Sequence, residues 1–438
     1  MTTNEKYDIA DLVIKHALKN GANQVAVSIG DSSSRHVEIR EKKIDRLQES
    51  ISNGLSLLLF VDKKYSSHST NHLKKEELLK FVEGAIASTR YLAEDEFRYL
   101  PDKELYYKGD GTDLKIFDPS INTLDAKAKI DLAKQAESEI FGSDPRIISI
   151  STSYDDSVSN DILVTSNGFR GENGSSSVGI SASVSVKGTV GRPSDYWGEY
   201  SIFFDSLIKA GIGKKALERT IRKLDPKKIT SGKYTMIVDN LNGGNLLGPF
   251  ISAMNGSAMY QKNSFLIGKL NTKVASNKLT IVDDPSMISA FGSKHFDSEG
   301  LNSVKRSIIE EGILKDYYIG TYYGRKLGMK PTSASTSNVV FKTGDKDLDG
   351  LVKSVTKGVL VTGFNGGNCN GSTGDFSYGI EGFLIEKGEI VHPVNEMNIS
   401  GNMKDFWNTL MELGNDPYKY SSFMTPSMVF DKTDFSGL

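Results

Sequence analysis

The 438-residue chain contains a single cysteine, so it cannot form an internal disulfide, and that scarcity fits a reducing cytoplasm. No apolar run approaches the roughly 20 residues that a membrane helix needs. The opening MTTNEKYDIADLVIKHALKN lacks the long apolar stretch of an export signal, so neither a membrane partner nor an export route is expected. An excess of one charge sign is also missing: 53 Lys and Arg stand against 55 Asp and Glu, a formal net charge of −2. Without a dense basic block, direct nucleic-acid binding is not expected. Proline is scarce at 11 residues while glycine reaches 42, a balance that favours glycine turns and antiparallel strands over stiff linkers.

What is present is ordinary for a chain that folds throughout, with 38% hydrophobic and 25% charged residues. The length suggests two domains. Ile9, Leu12, Val13, His16 and Ala17 share one helical face, with Gly21 as the left-handed stop. His16 on that face reads as a packed boundary residue rather than a ligand. Strands are expected around Val25 to Ile29, Val37 to Ile39 and Leu57 to Phe60, with Asn53-Gly54 as a turn. Leu78, Val82, Ala85 and Ile86 then mark a second helix, which Ser69, Thr70 or Asn71 could cap. The same order returns: a helix over 123–140, strands at RIISIST and ILVTSNGF, strict alternation through Val178, Ile180, Ala182, Val184 and Val186, and a helix near 205–224.

The fold expected is therefore α+β. Its N-terminal domain, 1–225, holds two helix, β-meander, helix units, about 1–92 and 123–225, that pack together because neither buries its sheet face alone. Residues 226–438 form a largely antiparallel β domain, with a strand at Tyr234 to Val238, a helical stretch near 244–255, and a hairpin in GIEGFLIEKGEIVHPV that turns at Lys387-Gly388.

Three places carry candidate chemistry. NGGNCNGSTGDFS, residues 365–377, sets the only cysteine among glycines. It lacks the Gly-Lys-Ser/Thr ending and following helix of a phosphate loop, and Cys369 has no recognisable partner base. Glycines that admit tight bends are the plainer reading, yet Asn370, Thr373, Asp375 and Ser377 place hydrogen-bonding side chains close by. His68 and His72 are spaced i, i+4, but SSHSTNH has no helical pattern and no acidic residue between them, so a solvated turn is expected. KHFDSEG brings His295, Asp297 and Glu299 within five residues, a possible metal set or equally a strand edge and turn.

The strings VDDPSM, FDSEG, GRKLGMKPTSASTSN and STGDFSYGIEGFLIEKGEIVHPVNEMNISGN occur in an order and spacing that resembles the TldD/PmbA family, over nearly the whole chain and most strongly after residue 230. TldD-like members carry H-E-x-x-x-H on a helix, two histidines on zinc with the glutamate as base toward bound water. The matching stretch here is NLNGGNLLGPFISAMNGSAMYQKNSFL. The histidine positions fall on Leu247 and Ser252, or on Gly248 and Ala253, and the glutamate position on Gly248 or Pro249. The chain is thus similar to the family's non-zinc branch, PmbA or TldE.

The resemblance implies a subunit of a cytoplasmic metallopeptidase that cuts unfolded or extended peptides, with no cofactor in this chain and zinc on a TldD-like partner. It implies a heterodimer with that partner, or a homodimer. The family's link to a gyrase-targeting microcin explains the label "modulator of DNA gyrase" without implying contact with gyrase or DNA. Loop position makes Cys369, Asn370, Thr373, Asp375 and Ser377 the candidate peptide-binding residues, with Cys369 a remnant of the metal site's geometry. Two rival readings remain: a self-sufficient hydrolase with a metal on His295, Asp297 and Glu299, and a homodimeric peptide-binding protein.

Overall fold

The computed structural model describes residues 1–109 and 111–437. Helix α1 (Thr3–Lys19) opens with a capping box, in which Thr2 and Glu5 satisfy each other's backbone N–H. It leads into β1 (Gln24–Arg40), β2 (Lys43–Val61), β3 (Lys64–Thr70) and α2 (Lys75–Thr89). The pattern repeats as α3 (Ala126–Ser138), β4 (Ile147–Thr165), β5 (Arg170–Val186), β6 (Ser194–Ser201) and α4 (Ile212–Arg222). β1 and β4 run antiparallel from Ala26 opposite Thr165 to Arg40 opposite Ser151, which fuses the two meanders into one six-stranded sheet, β3-β2-β1-β4-β5-β6.

All four helices cover one face of this sheet. Ala10, Val13 and Ala17 of α1 and Leu78 and Val82 of α2 bury Val25, Val27, Leu57 and Leu59. Ala133 and Ala136 of α3 and Ile212 and Ala216 of α4 bury Val37, Tyr154, Ile180 and Val184. His16 lies at the edge of this packing, its Nε2 2.9 Å from Glu83 of α2.

Two local expectations need correction. The four central strands, β2, β1, β4 and β5, are 17 to 19 residues long, and Asn53-Gly54 lies inside β2 opposite Asp31 and Gly30 rather than at a turn. The chain reverses instead at Glu41-Lys42, whose φ angles of 50° and 62° give the twist a two-residue hairpin requires. Ser69 and Thr70 do not cap α2; they finish β3, and Lys74 occupies the N-cap without a side-chain bond. Glu76 and Glu77 in the first turn complement the helix dipole there instead.

The second half begins with β7 (Gly232–Val238), α5 (Gly243–Ser252) and α6 (Gly256–Tyr260), followed by β8 (Ile281–Asp284), β9 (Arg306–Glu310), β10 (Ile313–Leu314), α7 (Thr321–Leu327), β11 (Asn338–Phe341) and α8 (Leu348–Lys353). Then come β12 (Lys357–Cys369), β13 (Asp375–Glu386), β14 (Glu389–Asn402), α9 (Met403–Phe406), β15 (Leu410–Leu413), β16 (Phe423–Met424) and β17 (Met428–Ser436). The order β14-β13-β12-β7-β17, closed by a β14–β17 pairing, makes a barrel with β15 attached to β17. Only β7 and β12 run parallel within it. A smaller sheet, β10-β9-β8-β11-β16, packs beside the barrel. The hairpin between β13 and β14 turns at Lys387 (φ 54°) and Gly388 (φ 80°). Closure leaves the barrel few free edges. Its core centres on Phe250, Trp407 and Phe430, with the Phe250 and Trp407 rings stacked at 5.0 Å.

A strap ties the two halves together. Arg325 of α7 donates to the carbonyls of Phe97, Tyr99 and Leu100 at 3.1, 2.6 and 2.9 Å. Tyr322 and Lys326 reach Asp95 at 2.7 and 3.1 Å, while Arg98 stacks on the Tyr322 ring at 3.4 Å.

Candidate functional site

β7 runs through the barrel wall and is followed by Asp239, whose carboxylate receives the Asn242 backbone N–H at 3.0 Å and its Nδ2 at 2.7 Å. The same Nδ2 donates to the Thr362 carbonyl at 2.9 Å and so pins the start of α5 to β12. Burial, opposed by these bonds, pushes the Asp239 carboxyl up to about 6. Gly243 must lack a side chain here, because a Cβ would lie 2.8 Å from Met428 and Thr425.

Along α5, Leu246, Leu247, Phe250 and Ile251 enter the core, while Gly248, Pro249 and Ser252 lie outward. In one register the two positions that would bear histidines are the buried Leu247 and the exposed Ser252. In the other they are Gly248, beside open space, and Ala253, which is buried. Neither pair offers a lone pair from nitrogen, so these residues do not fit a zinc ion held as TldD-like members hold it.

The loop of the single cysteine lies between β12 and β13. Gly366 and Gly367 take φ angles of 78° and 111° where the register shifts, and a Cβ on Gly367 would collide with the Ser377 carbonyl. The loop is closed by its own groups. Asn370 Oδ1 accepts from the N–H groups of Ser372 (2.9 Å) and Thr373 (3.3 Å), and the Asn370 carbonyl from Gly374 (2.7 Å). Asp375 accepts from Thr373 Oγ1 and Asn402 Nδ2, both at 2.7 Å, and the Thr373 bond leads in holding its carboxyl below the usual carboxylate range.

The structure thus brings Asn370, Thr373 and Asp375 into one network and adds Asn402, which sequence reading missed. Asn402 is 27 residues beyond Asp375, and only the β13–β14 register places them opposite one another. Cys369 sits beside the network, half-buried against the core. Burial first, then the Asp375 charge, pushes its thiol up, away from thiolate chemistry. Ser377 is exposed on β13 between Asn368 and Ser400.

This loop and α5 meet through aromatic packing. Gly374 lies against Phe265, whose ring stacks on Phe250 of α5 at 6.3 Å, and Ser372 Oγ donates to Asn263 at 3.0 Å.

His295, Asp297 and Glu299 follow one another in the chain but serve different neighbours. His295 stacks flat on Tyr107 with ring centres 5.0 Å apart. Buried Asp297 accepts from the N–H groups of Glu299 and Leu301 at 2.9 and 3.1 Å. Glu299 accepts from Thr321 N and Oγ1 at 2.8 and 2.6 Å, and borders a small cavity of about 80 Å³ under the strap. Burial raises both carboxyls. His68 turns to Ser66 at 2.9 Å, while His72 is exposed and 3.3 Å from Glu77. Among the described residues no three His, Cys, Asp or Glu side chains come together to hold a metal ion.

Two depressions lie on the sheet face away from the helices. One, of about 620 Å³, has Ser32, Ser52, Gly54, Ser69 and Asp161 in its walls. The other, of about 490 Å³, has His36, Asp155, Ser177 and Tyr200 on its floor and Phe291 and Tyr420 from the second half above. Gly179 allows the Tyr200 ring to lie across β5, since a Cβ there would strike it. The serine and glycine alternation that reads as a one-sided strand is the lining of this face. Sequence reading noted the alternation and missed the lining.

Comparison with known proteins matches the chain to PmbA/TldA metallopeptidase models: domain 1 over residues 25–89, the central domain over 119–224 and the C-terminal domain over 231–437. The metalloprotease PmbA homolog of Haemophilus influenzae is 30% identical over 433 residues, covering 97% of this chain and 94% of that one. The crystal structure of a putative modulator of DNA gyrase from Bacteroides thetaiotaomicron is 50% identical, with a TM-score of 0.98 and 100% of each chain covered. TldE from Thermococcus kodakarensis shares the fold with a TM-score of 0.85 at 17% identity, over 98% of this chain and 100% of that one.

Proposed function

The chain belongs to the PmbA/TldA metallopeptidase family, and from that premise we propose that it is a PmbA/TldE-like subunit without a zinc site of its own. It works beside a TldD-like subunit that carries the metal and cuts unfolded or extended peptides. The observation that carries this reading is the chemistry of α5 and its C-cap: the two positions where zinc-binding members have histidines fall on Leu247 and Ser252 or on Gly248 and Ala253, and either pair includes one residue buried in the core. No helix of the described residues is long and apolar enough to cross a membrane, and the near-neutral charge suits a peptide substrate better than a nucleic acid. A reducing cytoplasm suits a chain with one thiol.

The test mixes the purified chain with its TldD-like partner. The two are expected to co-elute, and chelator-sensitive peptide cleavage is expected from the mixture and not from this chain alone. Stoichiometric zinc together with cleavage by the chain alone overturns the reading. Lack of both co-elution and any effect on cleavage overturns it in favour of a homodimer without an enzymatic partner.

A further inference from the structure

β3 pairs with β2 only from Leu55 to Val61. From Gly54 back to Lys43, β2 has β1 on one side and, among the described residues, no strand on the other. Every residue from Lys43 to Asn53 is exposed. Long open edges invite strand addition and are normally blunted by charge, proline or bulges. Here those devices crowd the hairpin tip, where Lys43, Asp45 and Arg46 lie beside a register shift at Glu38/Ile39. Leu47 to Gly54, LQESISNG, has one charge, Glu49, and Arg35 draws it toward β1 at 2.8 Å. The eight residues offer a ladder of about 26 Å.

Two further features give this edge a direction and a chemistry. Leu47 and Ile51 share the helix-side face, opposite Val37 and Ser33, and are 60% and 73% exposed. Gln48, Ser50 and Ser52 point to the other face, where the Ser52 hydroxyl lies 2.8 Å from that of Ser32. The 620 Å³ depression opens where β3 stops, between Ser69, Thr70 and Gly54.

We infer that the outer edge of β2 from Leu47 to Gly54 takes up an extended peptide as an added strand, an inference that rests on reading the chain as a peptide-handling subunit. The peptide's apolar side chains, four residues apart, lie beside Leu47 and Ile51, a basic or polar one lies beside Glu49, and small polar ones fill the serine side. Main-chain bonds supply affinity with little sequence demand. A folded partner fits the edge less well, since a stable interface covers about 800 Å² on each side, far beyond two apolar side chains and a single strand.

The probe is a fluorescein-labelled, capped peptide containing Val-Ser-Lys-Ser-Val, added to the full chain and followed by anisotropy and hydrogen exchange. Binding is expected to weaken at least about tenfold in Leu47→Lys and in Ile51→Lys, both exposed positions where a lysine leaves the fold intact by far-ultraviolet circular dichroism. Exchange of amides in 43–54 should slow on binding. N-methylation of one alternate set of peptide amides should abolish binding while the other set is tolerated. Any of four results overturns the inference: no binding to the unaltered chain, equal binding by both variants, equal tolerance of both N-methyl sets, or protection confined to other segments. A fall in the chain's mass in solution with Ile51→Lys also overturns it, by assigning the edge to contact between chains. Co-elution and cleavage with the TldD-like partner are measured separately, so failure at this edge leaves the subunit reading standing.

Discussion

Asp239 is the residue whose environment makes the sharpest claim about protonation. It is buried at the end of β7 and its carboxyl is raised from 3.8 to about 6 by burial. A raised acid binds its proton more tightly in the folded chain than in the unfolded one, so its contribution is fully present below about pH 4 and is lost as pH rises through about 6. Two units correspond to about 3 kcal/mol. Asp239→Asn keeps an acceptor for Asn242 and removes the titration. Urea unfolding of the variant should show a smaller loss of stability between pH 4 and 6 than the wild type, and an unchanged slope would show that other groups carry it, such as Asp297 and Glu299, whose carboxyls burial also raises. Gly367 makes a conformational claim: Gly367→Ala must hold φ near 111° and displace the Ser377 carbonyl, at an expected loss of about 2 kcal/mol or more in the same measurement.

At the scale of elements, the Glu41-Lys42 turn has two non-glycine residues at positive φ, so replacing the pair with Asn-Gly should raise stability by about 1 kcal/mol, read as a higher thermal midpoint. This turn also shows why the first hairpin was only partly legible in the sequence. Apolar alternation marked Val25 to Ile29 and Val37 to Ile39 as two strands because the residues between them are polar on both faces. On the helix side the polar positions are satisfied by ions: Asp31 pairs with Lys6, and Arg35 shares Asp156 with Lys129 at 3.2 and 2.6 Å. On the other side they are Gly30, Ser32 and Ser34, which line the open face. Periodicity detects one buried apolar face, and this stretch has none. β5 was legible for the opposite reason, since Val178, Ile180, Val184 and Val186 fill the core while serines alternate with them. α5 was legible as a helix for its Leu246, Leu247, Phe250 and Ile251 side. Truncating Phe250, which stacks on Trp407 and Phe265, should cost about 3–5 kcal/mol in urea unfolding. It should also loosen the 370–374 loop, seen as faster hydrogen exchange there.

At the scale of the molecule, the candidate loop and the strap share a property that explains why the sequence shows the first without Asn402 and the second not at all: each is completed by residues far away in sequence. Asn402 closes the network around Asp375, and Arg325 binds carbonyls more than 220 residues upstream. Spacing rules see neighbours, so residues 95–107 fall outside both units read from the sequence, although they clasp the sheet to the second half through α7 and Leu301. Arg325 makes three charge-assisted bonds there and lies over the Tyr99 ring at 3.2 Å. Burial lowers its basicity somewhat, but an arginine remains charged at neutral pH. Such bonds contribute about 1.5–3 kcal/mol each, and one side chain making three of them beside Lys326 and Tyr322 should couple the unfolding of the two halves. Arg325→Ala leaves three carbonyls without their donor, and water can reach some of them at the strap's surface, so the net loss should be about 3–5 kcal/mol. Calorimetry of the wild-type chain should then show one transition and that of the variant two, with the sheet of residues 24–201 and the barrel melting separately. Arg325→Lys, which keeps the charge but lacks the planar fork, should fall between them. A single unshifted transition in Arg325→Ala would mean that the remaining ties between the halves, such as Tyr420 with Glu199 and Lys223 with Glu381, hold the two together without the strap.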